Sequence, residues 1–213
     1  MANKDLPYGL RPAKHLSGAP WNGATMRCFI SASDTAASYI GDPVLQTGDG
    51  CHRGCCPQVV LATTGAAAII MGVTSSFEPH KDALCGNQLS PTAPSPPLVH
   101  RLASTERFAN VVIDPDVVYQ VQGDSTAVIN VTDVGRNIEL ILTANTNSAA
   151  LGLSCAEIKG GSAVTTITEQ LWLMGAVDRD DNDISAVNAD WYVFLNTSLF
   201  GRKSGAAGYV TGI

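Results

Sequence analysis

The residues with most chemistry to offer in this 213-residue chain are its six cysteines, three of which crowd into one short run: Cys51, Cys55 and Cys56, with His52 between them. Thiolate sulfur and imidazole nitrogen are preferred zinc donors, and Cys51-x3-Cys55 falls within the loose spacing of a zinc knuckle. A complete structural site needs a second well-spaced pair, and Cys85 stands by itself. Cys51, His52, Cys55, Cys56 and Cys85 therefore make a partial zinc set, and the chain is assigned neither a metal nor a cofactor. A disulfide from Cys51 to Cys56 or to Cys85, formed in an oxidising medium after lysis, is a second reading, and reduced thiols a third. Cys28 and Cys155 fall in strand-like contexts, where cysteine acts as a small core residue.

The carboxylates are weaker candidates. The run 178–183 alternates acids in the manner of a calcium loop, but an EF-hand needs Gly at position six and Glu at position twelve. Those positions hold Asp183 and Ala189, so a polar connection between strands is the simpler reading. Asp114 and Asp116 have the residue types of a glycosidase pair, yet Asp-Pro-Asp between two apolar runs reads as a turn. His15, His52, His80 and His100 are placed in loops. There is no Gly-x-Ser-x-Gly elbow, Walker loop or dinucleotide fingerprint. No catalytic residue is assigned.

The elements that would carry these groups are short strands. Apolar or alternating runs at 27–30, 42–45, 58–62, 68–73, 108–113, 117–122, 138–142, 153–158, 165–174 and 191–195 are separated by Gly, Pro, Asn and Asp, as in small barrels and sandwiches. Val128, Val131 and Val134 recur at helical spacing and predict one short helix near 127–136. The expected fold is all-β, with a barrel- or sandwich-like core. It divides into an extended N-terminal arm (1–24), a small β-subdomain (25–74), a Pro-rich loop or linker (75–105), a second β-subdomain (106–199) and a C-terminal arm or strand (200–213). The arm is punctuated by Pro7, Gly9, Pro12, Gly18, Pro20 and Gly23, yet carries Leu6, Tyr8, Leu10 and Trp21. Such a segment lies on a surface, its own or a neighbour's, rather than in solvent. Leu6, Tyr8, Leu10, Arg11 and Trp21 are the expected contact residues, with the Trp21 indole as the anchor.

Composition narrows the function classes. Thirteen Lys and Arg against nineteen Asp and Glu give a formal charge of −6, spread thinly. A nucleic-acid binder needs a basic face to displace counterions, so no nucleic-acid partner is expected. No stretch approaches eighteen apolar residues and the opening carries no apolar signal core, so no membrane partner is expected either. Charged residues make up 15 %, which suits a surface pressed against neighbours.

Several ordered segments resemble a known group. Met1–Asp5, Gly9–Pro12, residues 22–24, 39–44 and 70–73, Arg107, then 111–116, 119–122, 133–137 and 152–154 resemble the tailed-bacteriophage capsid decoration, or cement, proteins, a family of head structural proteins. The cysteine-rich run 50–57 departs from that pattern. The resemblance implies a non-enzymatic β-rich protein that binds the outside of the major capsid protein lattice and stabilises the mature shell. It implies assembly in the bacterial host cytoplasm and a final place on the outer surface of the virion. A homotrimer is the favoured oligomer and a dimer the alternative. Other readings are an exposed phage module for host-surface glycans, and a minor tail or connector component. An enzyme is the remaining rival, and it would need a concave polar pocket.

Overall fold

The computed structural model describes residues 3–52, 54–65, 68–78, 99–142 and 151–201. The fold is all-β: twelve strands and, as the one named helical element, a 3-10 turn at Val131–Asp133. The strands are β1 (Arg11–His15), β2 (Met26–Ile30), β3 (Pro43–Gly50), β4 (Pro57–Leu61), β5 (Gly72–Phe77), β6 (Arg107–Val112), β7 (Val117–Gln122), β8 (Asn137–Ile138), β9 (Leu140–Leu142), β10 (Ala156–Ile158), β11 (Leu171–Ala176) and β12 (Asp190–Leu195). Five of them close a barrel in the order β2-β4-β3-β5-β6, and five form a sheet in the order β1-β7-β12-β11-β8. Strands β9 and β10 make a separate antiparallel pair.

Period-two alternation explains how short strands serve two cores. Cys28, Ile30, Val44, Val59, Met71, Ala109 and Val111 fill the barrel. Their neighbours Leu45, Val73 and Val112 point the other way, into a larger core with Leu10, Val117, Tyr119, Val121, Leu171, Leu173, Trp191 and Val193 of the sheet side. Each such fully buried aliphatic side chain is worth roughly 1.5–3 kcal/mol.

Three expectations are corrected here. The proposed arm contains β1, an edge strand paired with β7 through Arg11↔Gln120 and His15↔Val117, with an irregularity between Pro12 and Lys14. An edge strand tolerates Pro12, which is why Gly and Pro punctuation concealed it. The expected helix reduces to one 3-10 turn, because Asn130 and Asp133 cap it and Gly135 (φ 88°) ends it. Its valines face outward while Ile129 enters the core. The boundary drawn at 75–105 does not separate two units, since β6 pairs with β2 and β5 to close the barrel. The final strand candidate 200–213, beyond Gly201, lies outside the described residues, as do residues 79–98 of the Pro-rich connection.

Four of the segments carrying the resemblance meet in space. Gly9 (φ 77°) and Gly41 (φ 92°) lie back to back, and a Cβ on Gly9 would stand 2.5 Å from Ser154 Cβ and 2.8 Å from the Gly41 oxygen. Leu10 N–H donates to Gly41 O, Ile40 N–H to Gly152 O, Ser154 N–H to Ile40 O, and Gly41 N–H to Thr74 O. Residues 9–12, 39–44 and 152–154 thus build the junction of barrel and sheet, beside 70–74. Only glycine fits where two backbones approach this closely at positive φ.

Candidate functional site

Two places gather the residues singled out above. The first is the N-terminal face. Residues 3–8 are tied by hydrogen bonds to β7, to β12 and to the loop between β11 and β12. Asn3 Nδ2 donates to Asp183 O (2.8 Å) and Val187 O (2.9 Å). Gln122 Oε1 accepts from Leu6 N–H (3.0 Å), and its Nε2 donates to Lys4 O (2.9 Å). Tyr8 Oη donates to Asp190 Oδ1 (2.8 Å). Asp190, on β12, also accepts from Gln120 Nε2 (3.1 Å) and from Arg179 (2.8 Å). The carboxylate is buried and its four oxygen lone-pair directions are well used. Burial first, and then the Asp190 charge, push the Tyr8 phenol far above its ordinary range.

Most of these residues line an open polar cleft of about 330 Å³ together with Arg11 and Asn188. The Asn188 side-chain oxygen is buried without a hydrogen-bond partner, on a backbone at φ 60°. The five expected contact residues are therefore divided. Leu6 and Arg11 are exposed, Tyr8 is half-buried in its hydrogen bond, and Trp21 is half-buried against the chain's own core. Leu10 is fully buried and is a core residue. Its backbone and its side chain join barrel to sheet, so it is not available to a partner.

The second place is the tip of the β3–β4 hairpin. Here Cys51, Cys55 and Cys56 place their sulfurs within 4.8 Å of one another, the one such group of potential metal ligands among the described residues. The turn that does this is local. Cys51 N–H donates to Cys56 O (2.9 Å), Gly54 N–H to Cys51 O (2.7 Å), and Gly54 sits at φ 64°. Cys55 N–H donates to Cys51 Sγ (3.0 Å), and the Sγ atoms of Cys55 and Cys56 lie 3.8 Å apart. Cys51 is buried against Phe29 and Phe108, a directly paired couple on β2 and β6. Burial, followed by its two thiol neighbours, raises the pKa of Cys56.

The cysteine expectations are sorted by this geometry. The structure holds no disulfide between Cys51 and Cys56. Cys51's sulfur faces Cys55 at 2.6 Å instead. His52 turns its ring edge-on to Phe29 and toward Glu106 (3.3 Å), away from the sulfurs. Cys85 and His80 lie outside the described residues. Cys28 is inside the barrel, where burial pushes its thiol up to about 12.

The remaining candidates are engaged in contacts within the chain. Residues 178–183 are a polar loop: Arg179 pairs with Asp181 and Asp190, and Asn182 ties Val177 O to Asp190 O. Asp114 Oδ1 accepts from Asp116 N–H across a turn, and Asp114 also meets His15 at 3.4 Å. His15 belongs to β1, not to a loop. His100 is buried and stacked on Tyr39, and burial, with Arg107 adding to it, lowers its pKa. Trp191 is buried in the core, and Trp172 packs on Phe194.

Three polar residues that organise the molecule were not singled out from the sequence. Asp190 falls just before the 191–195 run, Arg101 within the Pro-rich connection, and Asp42 at the start of the 42–45 run. Burial pushes Asp42 up to about 6, against hydrogen bonds from Ser154 and Tyr39 N–H that pull it down. None has a periodic or motif signal, because their partners are distant in sequence. No family model matches the chain, and no curated protein or solved structure matches it.

Proposed function

We propose that this chain is a non-enzymatic structural protein of a tailed-phage head, which binds the outer face of the major capsid protein lattice and stabilises the mature shell. The observation that carries the reading is the N-terminal face. The segment expected as an extended arm is held in place by side-chain hydrogen bonds, with Leu6 and Arg11 exposed along it. A preorganised contact surface binds without the cost of ordering itself first. The polar groups beneath are spent on one another: Asp190 is held by three donors and Tyr8 is held protonated, which suits a scaffold better than an acid–base pair. The ordered resemblance to decoration proteins and the all-β build support the same reading. In this role the chain binds expanded shells in preference to unexpanded ones, which stabilises the mature lattice by mass action. Self-association as a trimer fits three-fold lattice positions.

Co-sedimentation with empty shells, before and after expansion, tests this. Saturable binding to expanded shells, weakened by Leu6→Asp and by Arg11→Glu, is expected. Truncation of residues 1–22 is a poor substitute, because it removes β1 and Leu10 from the core. Absence of binding to either shell would sink the proposal. One observation favours a second reading, a host-glycan module: the cleft is lined by the amides of Asn3, Gln120, Gln122, Asn182 and Asn188. Amide donors and acceptors of this kind match sugar hydroxyls. Glycan binding abolished by Asn188→Ala, with no shell binding, is the outcome that would replace the first reading by this one.

A further inference from the structure

From the geometry of the β3–β4 tip we infer that Cys51, Cys55 and Cys56 form a binding site for one thiophilic d10 cation, with Zn²⁺ as the ligand of choice. Three cysteines with sulfurs within 4.8 Å of one another supply three of the four donors of a tetrahedral zinc centre. Zinc–sulfur bonds of about 2.3 Å at tetrahedral angles put sulfurs about 3.8 Å apart. Cys55 and Cys56 already stand at 3.8 Å. Cys51 and Cys55 stand at 2.6 Å and must open by about 1 Å, which rotation of the exposed Cys55 side chain supplies.

The surroundings fit a thiolate site. The Cys55 N–H aimed at Cys51 Sγ at 3.0 Å is the kind of outer hydrogen bond that fixes and stabilises a ligating sulfur. Cys51 rests on Phe29 and Phe108, which exclude water from the inner side. Arg27 lies 3.8 Å from the Phe108 ring centre on the same two strands, with its guanidinium paired to Glu78 at 2.7 and 2.8 Å. Binding converts three thiols to three thiolates and releases three protons to solvent. Water completes the tetrahedral donor set. Soft sulfur donors select zinc or copper(I) over magnesium or calcium.

The test uses the full-length, tag-free chain, reduced and handled without oxygen. Titration with Zn²⁺ against a chromophoric chelator should show one tightly held ion per chain, with proton release. Co²⁺ in its place should give sulfur-to-metal charge-transfer absorption. Cys55→Ser removes an exposed ligand, so the fold is kept, which far-ultraviolet circular dichroism of the metal-free protein checks. Its zinc affinity should fall by more than the roughly 10–100-fold that loss of an outer-shell partner costs. A cobalt spectrum without thiolate charge transfer, or Cys55→Ser binding zinc as tightly as the unaltered chain, would overturn the assignment.

Discussion

A buried cation organises one end of this molecule and a buried anion organises the other. On the barrel side, fully buried Arg101 donates Nε to Thr105 O (2.7 Å) and one terminal nitrogen to both Ser31 O and Asp34 O (2.8 Å each). Its other terminal nitrogen donates to Ala36 O and pairs with Asp34 at 3.4 Å. On the sheet side, Asp190 collects Tyr8, Gln120 and Arg179. Both fix a segment without regular structure. They differ in what they grip. Arg101 holds main-chain carbonyls, so its partners could be almost any residue types. Asp190 holds side chains, so Tyr8, Gln120 and Arg179 are each required as they are. The planar five-donor guanidinium suits the first task and a carboxylate the second.

The comparison is broken most forcefully at Arg101. Arg101→Met should leave Asp34 without its cation and several carbonyls without donors, at a cost of about 3–5 kcal/mol. The urea midpoint should drop accordingly, and Arg101→Lys should recover less than half of the loss. A near-neutral Arg101→Met would mean that water takes over the carbonyls and that the cation holds little.

The sheet side should yield less. Asp190→Ala is expected to cost about 2–3 kcal/mol, and Tyr8→Phe about 1 kcal/mol. Both should expose residues 3–8 to limited proteolysis while the barrel stays resistant. If that segment stays protected in Asp190→Ala, the carboxylate is not what fastens it.

A pH-dependent effect, comparable in size to that of Asp190→Ala, sharpens the contrast at the junction between the two regions. Asp42 has a folded-state pKa of about 6 against an ordinary 3.8. A carboxyl raised in this way favours folding while protonated. Its contribution is complete below the unfolded value and is lost as pH rises through about 6. By linkage this amounts to roughly 2–3 kcal/mol at neutral pH. Stability measured from pH 4 to 7 should fall with rising pH in the unaltered chain. In Asp42→Asn the fall should shrink by that amount. An unchanged pH profile would show that Asp42 titrates normally.

Much of the strand map was legible because alternation and turn residues are local signals. The runs at 27–30, 58–62, 117–122 and 191–195 coincide closely with β2, β4, β7 and β12. β1 was hidden by Pro12, which only an edge position permits, and the 3-10 turn was overread because valine spacing does not say which side faces in. At the candidate site, Tyr8, Leu6 and the Cys51–Cys56 run were visible as residue types. Asp190 and Asn188 were not, since what distinguishes them is burial and partners more than sixty residues away.

By itself the sequence determined that the chain is all-β, sparsely charged and built of short strands, because alternation, glycine and proline act over a few residues. It also determined that three thiols share one turn, because that turn is six residues long. Only the tertiary structure decided that β6 closes the barrel, that Leu10 is core and Leu6 surface, and that Arg101 and Asp190 become hubs. Those outcomes depend on loop closure across tens of residues and on which polar groups lose water together, and neither is written in any local window.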